Sequence, residues 1–279
     1  MVNYCMQQYS RKRRGAMSLR FVSICLLFLV GFRLEAASIT QLTDERVTVN
    51  WSAQKLRFYG ESKIKPGAEN GYKKAEKRAW QDGINYINQI VMDMFITSNE
   101  GLVEDMNLLE RAAKAAANRV STSTYSYNTA YYEDGTVRVF LENSLPKAIA
   151  TDLVRFHQKK SIDDTVVYYS GVLIEVEGAN GLNPASRYTI QSSEGKILFD
   201  IKDMAEDAYN ARLMARWFRS ASQNEVKQAV GSNPLTVAAK SDGRNIIIDQ
   251  QVWNKEVAGH VSLLRKAKVA ISLLKNDLM

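Results

Sequence analysis

Both cysteines of this 279-residue chain, Cys5 and Cys25, lie at its N-terminal end. The sequence around them is first basic, then apolar. Arg11, Lys12, Arg13, Arg14 and Arg20 precede Phe21 to Phe32, a run broken only by Ser23 and Gly31; Arg33-Leu34-Glu35-Ala36-Ala37-Ser38 follows. A basic flank, a short apolar stretch and small residues at its end form the pattern of a secretory signal peptide. The run is shorter than the roughly 20 apolar residues a spanning helix needs. Residues 1–37 are therefore expected to be a leader removed on export, with the cut near Ala36 or Ala37 and Met17 available as a start. An anchor that stays uncleaved is the alternative. Past such a cut no thiol remains for a disulfide or a thiolate metal site. Stability then rests on ordinary apolar cores, for which about 240 residues suffice.

The same cut changes the charge. The full sequence carries 37 Lys and Arg against 30 Asp and Glu, and six of the former and one of the latter fall in residues 1–37, leaving 31 against 29. So even a balance offers no broad field for steering onto phosphate backbones, and no nucleic-acid partner is expected. A 46% hydrophobic composition with only 4 Pro excludes a disordered or fibrous chain. Cys25 is a poor acylation site, because only four residues separate it from Arg20 and the apolar run continues beyond it. The expectation is a soluble periplasmic protein without a lipid anchor, with peripheral membrane contact or outer-membrane association still open.

Periodicity divides the remainder into an α+β pair of small domains, each a sheet with helices on one face. In the first, residues 39–160, Val47, Val49 and Trp51 and then Leu56, Phe58 and Gly60 alternate as strands do. After Pro66-Gly67, the residues Ala68, Tyr72, Ala75, Ala79, Gly83, Tyr86, Ile90 and Met94 make one stripe along a long helix. Gly83 on that stripe points to a close approach by a neighbouring element. Leu102 to Val120 is a second helix, Ser121 to Tyr132 is strand-rich, and Asp134-Gly135 is a hairpin turn before Thr136 to Leu141. Pro146 opens a short helix through Phe156. The polar stretch from His157 to Asp164 marks the boundary.

In the second domain, residues 161–279, Val166 to Val176 reads as a buried strand. Hairpins are expected around Glu194-Gly195 and Asp242-Gly243. Asp203 to Arg212 looks helical, while Leu213 to Phe218 leaves helix and strand both open. A helix over Val252 to Leu264 and a strand over Val269 to Leu273 close the chain.

Three stretches together give a resemblance. The first is the strand ending at Gly60 with the following helix bearing Ala75, Arg78-Ala79 and Gly83. The second is Ser170-Gly171-Val172-Leu173-Ile174-Glu175-Val176-Glu177-Gly178 with Gly181-Leu182-Asn183-Pro184-Ala185. The third is Val230-Gly231-Ser232-Asn233-Pro234-Leu235 leading into Val237-Ala238-Ala239. The chain resembles the Lpp-twenty-type bacterial envelope lipoproteins and their soluble relatives, and its first part is similar to the N-terminal domain of the flagellar H-ring protein FlgT. The resemblance implies a periplasmic or outer-envelope role, sometimes in flagellar assembly, with no catalytic residue to carry over.

Chemistry is sparse. His157 and His260 stand about a hundred residues apart, so a metal centre has too few ligands. No Gly-x-Ser-x-Gly nucleophile elbow occurs. Glu175 and Glu177, at i and i+2, share a strand face and with Asn180 mark the one place for acid–base chemistry or ligand binding, in a cleft between the halves. A solvated sheet face is the favoured reading of that pair. Tyr125, Tyr127 and Tyr131 are expected on one strand face, either packed under the long helix or exposed as a protein-contact surface. The expectation is a non-enzymatic envelope structural or interaction protein, free of cofactors, whose partners are other envelope proteins or copies of itself. A periplasmic ligand-binding or hydrolytic protein is the alternative.

Overall fold

The computed structural model describes residues 37–67, 69–150, 153, 168–178, 181–219 and 222–274. The leader, the boundary at 160/161, His157 and Asn180 lie outside them. The chain is α+β with two sheets. The first is antiparallel throughout, in the order β2 (Thr40–Asp44), β3 (Val47–Asn50), β4 (Lys55–Lys63), β6 (Thr136–Ser144), β5 (Tyr125–Tyr131). Against one face lie helices α1 (Gly71–Asn99), α2 (Met106–Ser123) and α3 (Leu145–Ile149). Val47, Val49, Leu56, Phe58, Val137, Val139 and Leu141 point inward and are buried, the alternation of a half-covered sheet.

Where α1 crosses the sheet, two glycines meet. A Cβ on Gly60 of β4 would lie 2.0 Å from the Ala79 carbonyl oxygen and 2.2 Å from the Gly83 nitrogen. Gly83 therefore does mark a close approach. The buried line on α1 runs Ala75, Ala79, Gly83, Ile87, Val91, Phe95 and Asn99, not through Tyr86, Ile90 and Met94. Steps of four overshoot the 3.6-residue turn, so the line winds around the helix. It serves the sheet first, then α2 and α3. Tyr72 is exposed.

The second sheet is mixed, in the order β1 (Ala37–Ser38), β10 (Arg216–Arg219), β13 (Val269–Leu273), β7 (Gly171–Val176), β11 (Pro234–Ser241), β12 (Ile246–Ile247), β8 (Ile190–Gln191), β9 (Ile197–Phe199). Strands β10, β13, β7 and β11 are parallel neighbours. Such strands are covered on both faces, which accounts for the apolar run of β7, interrupted only by the half-buried Glu175. One face sends Val172, Ile174, Trp217 and Ile271 into the same core as Leu56 and Leu141 of the first sheet. The other packs Leu173, Phe218 and Ala270 against Val226 and Val230 of helix α5 (Gln223–Val230). The segment between the 3₁₀ turn Ile201–Asp203 and β10 holds only the short helix α4 (Glu206–Asn210), and α6 (Gln250–Val252) runs through a π turn at Trp253–Val257 toward α7 (Val261–Arg265).

The two stretches of the second half that carry the resemblance lie side by side. Asn233 N–H donates to Ser170 Oγ at 3.1 Å, Ser170 N–H donates to the Asn233 carbonyl at 2.8 Å, and β7 and β11 pair in register from Gly171 and Pro234. A Cβ on Gly171 would strike Val230 at 2.5 Å. Gly and Asn are there to let backbones meet.

Candidate interaction surface

No helix crosses the second face of the five-stranded sheet among the described residues. Register sets its rows. Tyr125, Glu142 and Arg57 stand abreast, as do Phe140 and Tyr59, then Ala130, Arg138 and Glu61. Charge is paired along the rows. Arg138 Nε donates to Glu61 Oε1 at 2.7 Å, and Lys55 and Arg57 reach the two Glu142 oxygens at 2.7 Å each. Lys63 approaches Asp134 at 3.2 Å in the hairpin turn.

Glu142 is the buried centre of this face, 4% exposed. Burial raises its pKa, but hydrogen bonds from Lys55, Tyr125 and Arg57 outweigh that and hold the carboxyl down at about 2. The same contacts have reciprocal effects. The bond to Glu142 raises the Tyr125 phenol and the Arg57 guanidinium above their ordinary values. At neutral pH Glu142 is ionised and the Tyr125 hydroxyl is a donor.

Aromatic rings and guanidinium groups alternate across the face. Arg138 lies 4.1 Å from the Tyr59 ring centroid and 5.3 Å from that of Tyr132; Arg57 lies 5.4 Å from Tyr127. Tyr127 and Tyr59 both meet Phe140 as tilted rings. Arg46 caps the far end, 4.9 Å from Tyr86, and pairs with Asp82 at 2.9 Å. Asp82 also accepts from the Glu61 N–H, which closes the edge of β4 beyond the end of β3. Rings whose faces carry guanidinium groups are poorly placed to stack on sugars or bases. They offer a partner edges, phenol tips and flat cations.

The three tyrosines do not share this face. A bulge between Ser126 and Asn128 inserts one extra residue, so parity reverses along β5. Tyr125 and Tyr127 face outward with Glu142 and Arg57. Tyr131 stands on the helix side, where its hydroxyl donates to Glu76 of α1 and its ring meets Tyr72 edge-on at 5.6 Å. The tyrosines are exposed rather than buried under α1: Tyr125 53%, Tyr127 48%, Tyr131 52%. β5 also begins later than its composition suggests. Ser121, Ser123 and Thr124 donate to the carbonyls of Ala117, Arg119 and Val120, and this back-bonding completes α2.

Glu175 lies half-buried on β7 and Glu177 is exposed in the turn after it. Their strand partners, Ala238 and Ser272 beside Glu175, bring no base or second acid. His260 meets the Tyr169 ring at 5.0 Å. Among the described residues no group of three metal-binding side chains assembles, and no helix is long and apolar enough to cross a membrane. Asp105 caps α2 by accepting from Asn107 and Leu108. The residues that sequence reading missed are the arginines. Their only signal was a basic residue within a strand-like alternation, at Arg57 and again at Arg138; the acids that face them, Glu142 and Glu61, stand on the neighbouring strand. No protein-family model matches this chain, and no curated protein matches it.

Proposed function

We propose that this chain is a non-enzymatic protein of the bacterial envelope, exported on residues 1–37, that works by binding other envelope proteins or further copies of itself. The observation that supports it is the arginine–tyrosine face of the first sheet, which no helix covers among the described residues, since Tyr and Arg are the side chains enriched where protein interfaces concentrate their binding energy. The export pattern and the resemblance to Lpp-twenty-type and flagellar ring proteins favour a periplasmic setting, with outer-membrane or flagellar association as its specific forms. No cofactor and no nucleic acid enter this reading.

Cross-linking in the intact envelope, followed by isolation of native complexes, tests it. A defined complex is expected for the wild-type protein. It should be lost in Tyr127→Ala/Tyr132→Ala, whose rings are half exposed and whose removal should leave the thermal midpoint nearly unchanged. A strictly monomeric protein that cross-links to nothing, or a complex indifferent to both rings, overturns the reading. N-terminal sequencing of the exported form should begin near Ala37 or Ser38.

A further inference from the structure

A cleft of about 280 Å³ opens at the seam between the sheets, lined by Asn50, Ser52 and Ala53, by Arg216 and Phe218 of β10, and by Glu225 and Gln228 of α5. Its cause is topological. β1 pairs with β10 only at Phe218 and Arg219, and then the chain leaves that sheet to begin β2 at Thr40. The turn at Ser52 fastens the two sheets together beside Trp217, but among the described residues nothing fills the groove on the α5 side of Arg216.

The groups left facing this groove are unlike those on the first sheet, where every arginine has a carboxylate or ring. Arg216 is half-buried and pairs with no carboxylate among the described residues. Glu225 lies across the cleft on the exposed side of α5. Its Oε2 accepts from the Ser222 N–H and hydroxyl in a capping box, and its Oε1 takes no hydrogen bond from a described residue. The two charges line one cavity without contacting each other. Asn50 uses its Oδ1 on the Ala53 N–H, leaving its amide donors. Phe218, 3% exposed, supplies an apolar floor.

The cleft thus holds a guanidinium with no carboxylate partner among the described residues and a carboxylate that does not neutralise it. A ligand satisfying both must carry an anion and a cation a few bonds apart. From this we infer that the cleft binds a small zwitterion of the α-amino-acid type, with its carboxylate on Arg216, its ammonium on Glu225 and a modest apolar side chain against Phe218. The volume suits one amino acid better than a peptide or a nucleotide. The site shares no residue with the face assigned to partner binding, so either assignment stands or falls without the other. It also differs from the Glu175 and Glu177 pair, neither of which lines the cleft.

The test titrates the purified protein by calorimetry with L-alanine and L-leucine, and with leucine's two halves, 4-methylpentanoate and isopentylamine. One of the amino acids should bind with a Kd of about 1 mM or tighter, and each half about tenfold or more weakly. Arg216→Gln should abolish leucine binding and leave isopentylamine as it was. Glu225→Gln keeps the capping box, because a glutamine oxygen accepts the same bond; it should weaken leucine about tenfold and leave 4-methylpentanoate unchanged. The thermal midpoint without ligand should match wild type in Glu225→Gln, which keeps the test valid even where Arg216→Gln folds poorly. Equal affinity for leucine and 4-methylpentanoate, which means a plain anion site, overturns the inference. So does absence of binding by both amino acids, or wild-type binding by Glu225→Gln.

Discussion

At Gly60 the backbone of β4 touches the backbone of α1 with no side chain between them. The atoms a Cβ would strike there, the Ala79 carbonyl oxygen and the Gly83 amide nitrogen, cannot rotate aside. Gly60→Ala must therefore push the helix off the sheet, at about 3 kcal/mol or more. Gly83→Ala meets the end of the Leu141 side chain at 2.7 Å, which can turn, and the Gly60 backbone at no less than 3.0 Å, and should cost less. Gly259→Ala meets nothing within 4 Å and should be neutral or slightly stabilising in urea unfolding. Equal losses at all three positions would refute the close approach as the cause. Glu142 sets a second residue-scale expectation. Its carboxyl titrates near 4.5 when free and near 2 when folded, so it stabilises the protein above 4.5 and that contribution disappears as pH falls through about 2. Its size is on the order of 2–3 kcal/mol once the half-exposed Lys55 and Arg57 are discounted for screening. Glu142→Gln should be destabilised by that amount at pH 7, with the gap closing near pH 2. A gap independent of pH would mean the loss is packing alone.

Helix α1 ends without a basic residue in its last turn, and the chain turns away through Gly101 at a positive φ of 76°. Its terminus is completed from the other half of the chain. Arg187 Nε donates to the Ser98 carbonyl at 2.7 Å and its Nη2 to that of Glu100 at 2.8 Å. Two charge-assisted bonds at the negative end of a 29-residue helix should contribute about 1–3 kcal/mol. Burial lowers the Arg187 pKa, and the nearby Asp200 partly offsets this. Arg187→Ala should speed hydrogen exchange at Phe95 to Asn99 before it affects the first turns of α1, and Arg187→Lys should restore little, since one ammonium cannot reproduce the fork. Uniform exchange along the helix would sink this assignment. No local pattern announces such a cap, because its donor and acceptors are almost ninety positions apart. What local pattern does announce is legible. Asp134-Gly135, Glu194-Gly195 and Asp242-Gly243 each join antiparallel strands, and Val269–Leu273 is a strand throughout. The tyrosine face was half legible. Composition placed tyrosines on a strand, but the bulge that turns Tyr131 away has no residue signature in Ser126-Tyr127-Asn128.

The chain from Ala36 onward forms one compact unit, and its sheets share a core running from Leu56 and Phe95 to Ile174 and Trp217. The polar fastening of that core is concentrated in one turn. Ser52 is buried; its hydroxyl donates to the Trp217 carbonyl at 2.6 Å and accepts from the Ile39 N–H at 2.9 Å. Gln54, held at a positive φ of 55°, donates to the Met214 carbonyl at 2.9 Å. Trp217 Nε1–H in turn donates to the Ala185 carbonyl at 3.0 Å. Ser52→Ala leaves a buried donor and a buried acceptor unpaired, for which about 2–4 kcal/mol is expected. How that loss is expressed distinguishes a shared core from two domains meeting at a polar seam. If the core is shared, unfolding remains one transition at a lower midpoint, and fluorescence of Trp51 and Trp80 coincides with that of Trp217 and Trp253 when single-tryptophan variants are compared. If the halves are separate domains, the substitution splits the curve and one tryptophan pair melts first. The Val172, Ile174 and Val176 face of β7 is dry and continuous with the first sheet, so a single transition is the expected result. Two transitions in Ser52→Ala would show that the hydrogen bonds at this turn, rather than the apolar contact behind them, make the halves fold together.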